Sequence, residues 1–327
     1  MRQFFGCKLA DDVQRRLSSS GGAFTALALR VLSEGGIVYG AAFSPVYRSV
    51  HHIAVENLED LSKLRGSKYL PSNLGNTFAE IKTHLESRRS VLFSGTPCQV
   101  GALRKFLGDT PQDRLYCVDL VCHGVPDNKV YQHYLDQLEL QHKSKVCLVN
   151  FRDKAKGWRK AEFVIRFDNG DELRERVADN AFMRGFIGNL YLRPSCTQCQ
   201  FKKFTSGSDL TVSDFWGATE LGSYNDDIGI SVVAVHTPQG QQLFEQAKSQ
   251  LIDVKEVDEC IAYTFNESVY QSSSKHPKRD EFYNRYLDED FEALVAELHP
   301  RGMASKTASP SPLARLKQII RKLLVRK

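Results

Sequence analysis

The chain has 327 residues, 42% hydrophobic and 25% charged, with 44 Lys or Arg against 39 Asp or Glu; this length can bury a sizeable core as one large domain or two ordinary ones. It contains no run of eighteen apolar residues, and the start MRQFFGCKLADD holds no long apolar segment, so neither a membrane-crossing helix nor a signal peptide is expected and the expected compartment is cytoplasmic. Residues 301–327 carry eight Lys or Arg and no Asp or Glu, which leaves residues 1–300 slightly acidic and gives a nucleic-acid partner no support.

In chain order, periodicity predicts a helix over Ala23–Glu34, stopped by Gly35 and Gly36 and leading into the apolar run IVYGAAF. VENLEDLSKLRGSKYLPSN reads as a short helix and a loop, followed by a helix over Thr77–Ser87. Two strand-loop-helix units follow, SVLFSG through Thr96 and Pro97 into VGALRKFL, and LYCVDLV through CHGVPD into KVYQHYLDQLEL. That alternation predicts an α/β fold with a mainly parallel or mixed sheet and flanking helices. From about Lys145 the pattern changes. EFVIRF and ELRERV flank Asp168, Asn169 and Gly170, a hairpin signal, and a helix near Asp179–Asn189 leads to Pro194 and RPSCTQCQFKK. SDLTVSDFWG and ISVVAVHT read as strands, and Gly240 to about Leu251 as a helix. The expected organisation is an α/β half over 1–145, an α+β half over 146–300 that carries the C-x-x-C loop, and a Ser, Pro and Ala-rich linker with a basic amphipathic helix over 301–327.

Eight cysteines in a reducing compartment point to metal binding, catalysis or packing rather than disulfides. Parallel strands end on one edge of their sheet, and Cys98 and Cys122 each follow such a strand, so their thiols can be neighbours. Cys196 and Cys199 have the spacing with which one loop offers two thiolates to a metal centre. A 4Fe-4S cluster or a tetrahedral zinc would suit four sulfurs. The alternative is that Cys98 and Cys122 pack as small apolar residues beside an unrelated pair. A thioredoxin-like dithiol is disfavoured, because the pair follows a helix and Pro194. Cys7, Cys117, Cys147 and Cys260 are expected in packing or surface positions.

The segments SSSGGAFTALA, LRGSKYLPS, VLFSGTPCQVGAL, VDLVCHGVP, LRPSCTQCQFK and SDLTVSDFWG, in this order from Ser18 to Gly217, resemble the coenzyme F420 hydrogenase/dehydrogenase beta-subunit family of flavin and iron-sulfur oxidoreductases. The resemblance implies bound FAD and one 4Fe-4S cluster with Cys98, Cys122, Cys196 and Cys199 as ligands. The N-terminal ferredoxin-like domain of many relatives has no counterpart in this sequence, so a separate electron carrier such as ferredoxin is expected. The family is mixed in substrate, and coenzyme F420 is possible but not assumed.

SSSGG before a helix offers hydroxyls, amides and the positive end of the helix dipole to a diphosphate, and names Ser19, Ser20, Gly21 and Gly22; a plain cap is the competing reading. No strand is expected before it, and it is not a Rossmann fingerprint. Ser67, Lys68 and Tyr69 match the family's SKY loop, where Lys68 would pair with a phosphate or balance charge on the flavin. Amides around Thr96, Pro97 and Gln99 would donate to cluster sulfurs. His123 is the candidate proton carrier, and Asp214, Phe215 and Trp216 are candidate walls of the site. Leu313, Leu316, Ile319, Ile320, Leu323 and Leu324, interleaved with Arg and Lys, make an amphipathic helix suited to an anionic membrane surface or an acidic partner. Relatives acting in cell-surface polysaccharide assembly then suggest a sugar or lipid-linked substrate near the inner face of the membrane. The alternative function is a non-catalytic, zinc-stabilised adaptor tethered by that helix.

Overall fold

The computed structural model describes residues 2–218 and 224–301. Their strands are β1 (Gln3–Leu9), β2 (Ile37–Phe43), β3 (Val50–Val55), β4 (Ser72–Asn73), β5 (Val91–Gly95), β6 (Leu115–Leu120), β7 (Val146–Asp153), β8 (Glu162–Phe167), β9 (Glu172–Arg176), β10 (Leu210–Asp214), β11 (Ser231–Val235) and β12 (Leu251–Glu256). Nine of them form one sheet in the order β12-β1-β11-β10-β6-β5-β2-β3-β4, and β7-β8-β9 form a separate antiparallel meander. The central four, β10, β6, β5 and β2, run parallel. Antiparallel pairs flank them on both sides. This is the mixed α/β sheet expected from the sequence.

The centre of the sheet is apolar on both faces because helices cover both, as parallel strands require. Along β5, Leu92 joins the core under helices Ala23–Ser33 and Pro238–Ala247, while Val91 and Phe93 join the core under helices Thr77–Glu86 and Pro97–Leu107. A third core, rich in aromatic rings, joins helix Asn128–His142 to the meander, to helix Ala181–Ile187 and to the C-terminal helices Arg279–Arg285 and Phe291–Leu298. Phe151 lies at its middle, fully buried against Phe43, Tyr69, Tyr131, Phe163 and Phe182.

Several elements differ from expectation. The opening residues, read only for their lack of an apolar leader, form β1, which sits between β11 and β12 inside the sheet. Its partners are more than 220 residues away along the chain, a pairing that no local pattern announces. A strand therefore does precede SSSGG, although helix Asp12–Leu17 intervenes, so the segment is still not a strand-turn-helix phosphate motif. Leu251 opens β12 instead of closing a helix. Residues 1–145 and 146–300 share the large sheet, because β10, β11 and β12 return to it. Beyond Arg301 the linker and basic helix lie outside the described residues, and among the described residues no helix is long and apolar enough to cross a membrane.

Replacing Phe151 by Ala should cost about 3–5 kcal/mol of stability, read as a lower urea midpoint.

Candidate functional site

β5 and β6 are parallel neighbours in register from Val91↔Leu115 to Gly95↔Asp119, so both chains leave the sheet at one edge. Beyond β5, Thr96 and Gln99 form a capping box and Pro97 takes the first helical position, which starts helix Pro97–Leu107 at once. Cys98 is thereby held exposed in the first turn, its Sγ 3.1 Å from Thr96 Oγ1. The loop after β6 does not close on itself. It pairs with the stretch before the C-x-x-C, through the Pro126↔Leu192 bridge and hydrogen bonds from Arg193 N to Val125 O (2.9 Å) and from Asp127 N to Tyr191 O (3.2 Å). That pairing delivers the 3-10 turn Pro194–Gln198, with Cys196 and then Cys199, beside Cys122.

The thiols sense one another there. Burial pushes the Cys122 thiol up to about 12, Lys202 opposes this, and Cys98, Cys196 and Cys199 each add to the rise. Cys196 is raised by burial and, less strongly, by Cys98 and Cys199, while the Val125 N–H at 3.5 Å works the other way. The structure thus brings Cys98, Cys122, Cys196 and Cys199 into one neighbourhood, although among the described residues no group of three or more His, Cys, Asp or Glu is arranged to hold a metal ion. Cys7 and Cys117 are fully buried in the sheet, and Cys147 and Cys260 are exposed.

Several ties hold these loops that the sequence did not announce. The Phe201 ring lies over Gly101, where a Cβ would approach it to 2.4 Å. Lys202 Nζ donates to Cys122 O at 2.7 Å and to Ser268 O at 2.8 Å. Ser272 Oγ donates to Cys199 O, and Ser273 Oγ to His123 O. The only local signal for the last two is the polar run QSSSK.

A cavity of about 1010 Å³ opens at this edge, at the top of the usual range for ligand pockets. Ser19, Ser20, Gly22, Ser67, Lys68, Tyr69, Thr96, Cys98, Gln99, Cys122, His123, Asp214 and Trp216 line it, whereas Gly21, Pro97, Cys196, Cys199 and Phe215 are not in its wall. Gly21 has a packing reason instead: a Cβ there would meet Ser231 N at 2.3 Å. Gly22 takes φ 86° as the N-cap of helix Ala23–Ser33. Ser20 Oγ is committed to Ile230 O at 2.6 Å, and Lys154 ties the same loop down by donating to Arg15 O, Ser20 O and Ile228 O. Lys68 Nζ donates to Arg65 O and Gly66 O, and burial lowers its pKa to about 7. Phe215 is fully buried in the core beside Tyr224. His123 rests edge-on to Phe186, its buried Nε2 without a hydrogen-bond partner among the described residues.

Other wall residues went unread in the sequence. His52 stacks on Phe93; its Nε2 donates to Ser94 O, so its Nδ1 accepts from Ser72 Oγ, and burial lowers its pKa to about 4. Arg152 pairs with Asp214 and lies over the Trp158 and Trp216 rings, which are 4.5 Å apart. Burial opposes the Arg152 charge, but Asp214 and Tyr69 outweigh it and raise its pKa. The mouth also carries Arg159, Arg176 and Arg193.

The family model described as the C terminus of the beta subunit of coenzyme F420 hydrogenase/dehydrogenase matches residues 88–259, more than half of the chain. The chain belongs to this family. The match includes all four thiols of the site, while SSSGG and the SKY loop precede it. Among solved structures, the chain is similar to a chain of the xenon-derivatised F420-reducing [NiFe] hydrogenase complex from Methanosarcina barkeri, with a TM-score of 0.55 at 18% identity over 91% of this chain and 88% of that one. At that identity the likeness is one of fold. No curated protein matches. Family and fold together describe a redox protein related to hydrogenase beta subunits.

Two outcomes test the site's construction. Gly101→Ala should push Phe201 off the helix and cost roughly 1–3 kcal/mol, with faster reaction of the C-x-x-C thiols toward a disulfide reagent. Because the pKa of Lys68 is about 7 in the folded chain against an ordinary 10.5, the unfolded chain binds more protons between those values. Its contribution to stability therefore rises with pH across that window and is lost as pH falls toward 7. Lys68→Met should flatten the pH dependence of the urea midpoint there, and an unchanged slope would contradict the desolvated amine.

Proposed function

We propose that the chain is an oxidoreductase that uses FAD and one 4Fe-4S cluster to pass electrons between an external one-electron carrier, such as ferredoxin, and an organic substrate. The observation that carries this reading is the meeting of four thiols from three loops beside a cavity of about 1010 Å³. The donor set fits a cubane, which takes one thiolate at each of four irons.

Cys98, Cys122, Cys196 and Cys199 would hold the cluster. Near the flavin, Ser19, the first-turn amides of helix Ala23–Ser33 and Lys68 would hold the diphosphate or balance ring charge. A flavin exchanges electrons singly or in pairs and a cluster exchanges them singly, and this conversion is the chemistry the two groups supply. The chain's own part is to fix their separation, exclude water with the Trp158, Trp216 and Phe186 walls, and place His123 Nε2 where a proton can be given or taken. The substrate proposed for this site is a sugar or lipid-linked intermediate; the cations Arg159, Arg176 and Arg193, which line the cavity, suit the phosphate it would carry. Attachment of residues 313–327 to an anionic membrane surface would bring such a substrate near.

Anaerobic purification should yield a coloured protein with iron and sulfide in 4Fe-4S proportion and FAD released by acid. Cys196→Ser should lose the iron and Cys147→Ser should keep it. A colourless protein holding one zinc would overturn the reading in favour of the adaptor. Reduction assays with ferredoxin, nicotinamide and deazaflavin donors then identify the electron partner.

A further inference from the structure

Lys202 stands three residues beyond Cys199, and its ammonium reaches back to the carbonyl of Cys122, so one side chain bridges two of the thiol-bearing loops. Its second bond, to Ser268 O, fixes it to the segment that also supplies Ser272 to Cys199 O and Ser273 to His123 O. Both of these acceptors are neutral carbonyls. They hold the ammonium in place without cancelling its charge. That charge stands beside the backbone of Cys122, one of the four thiol-bearing residues, with its ammonium 2.7 Å from the Cys122 carbonyl.

We propose that Lys202 is a positioning residue that sets the reduction potential of the iron-sulfur centre, holding it higher than the thiolates alone would allow. The inference rests on the iron-sulfur reading above. Reduction adds one electron from the external carrier to the centre and makes it one charge more negative, with no bond made or broken. A fixed cation beside a ligand loop therefore stabilises the reduced form more than the oxidised one, and does so strongly where water is scarce. The same side chain also cross-links the loops, so charge and tethering must be separated. Lys202→Arg keeps the charge and the donors, whereas Lys202→Gln keeps a donor and removes the charge.

The test is a potentiometric titration of the whole chain, purified anaerobically, with dithionite as reductant and the reduced centre followed by electron paramagnetic resonance. Iron, sulfide and FAD are measured on the same samples. Lys202→Gln should lower the equilibrium constant for reduction about tenfold, equal to about 59 mV for a one-electron couple, and Lys202→Arg should stay near the parent. A Lys202→Gln protein with full iron and an unchanged potential overturns the assignment while leaving the iron-sulfur reading intact. A parent protein without iron overturns both. If Lys202→Gln cannot hold the centre, Lys202→Met carries the same comparison. Loss of the centre from both, with a lowered melting temperature, would make Lys202 a tether only and likewise overturns the proposal.

Discussion

The site depends on one antiparallel contact. Residues 125–127, just past the end of β6, pair with residues 191–193 through two backbone hydrogen bonds and the Pro126↔Leu192 bridge. Without that contact, Cys98 and Cys122 would still be neighbours at the ends of adjacent parallel strands, because the register of β5 on β6 guarantees it. The C-x-x-C turn would lose the backbone pairing that leads it there and be left with Phe201 on Gly101 and Lys202 on Cys122 O. The approach is reinforced from beneath by an apolar cluster in which Tyr191 and Leu192 are fully buried with Phe182 and Phe282, so burial of rings holds the stretch before the thiols.

Around this contact the polar groups act as fasteners. Lys154 satisfies three carbonyls at once, and Lys202, Ser272 and Ser273 satisfy three more on the thiol-bearing loops. Buried carbonyls of irregular loops need such donors, because no ladder supplies them. The consequence is a cavity whose surrounding loops are held by cations: Arg152 is balanced by Asp214, while Lys68 and Lys154 donate to carbonyls and are both shifted toward about 7 by burial first of all. Such surroundings let an amine change protonation near neutral pH.

Much of this was legible at the level of elements. The helices at 23, 77, 97 and 128, the strands that lead to Cys98 and Cys122, and the hairpin at Asp168–Gly170 all follow from apolar periodicity, caps and turn residues, each a local interaction. Gly21 shows where that logic misleads: it reads as a phosphate-facing glycine, yet what it needs is room against β11, 210 residues further on. Asp214 and Trp216 do face the cavity, but Phe215 between them points into the core, as alternation at a strand end requires.

By itself, then, the order of residues determined which segments are helices and central strands and which thiols stand at strand ends, because those features arise from contacts within a dozen residues. Only the tertiary structure decided that β1 enters the sheet between β11 and β12, that the C-x-x-C turn arrives beside Cys122, and that Arg152, Lys202 and His52 belong to the site. Those outcomes come from pairings of chain segments tens to hundreds of residues apart. Their stability is summed over a whole core, and no single stretch of sequence carries that sum.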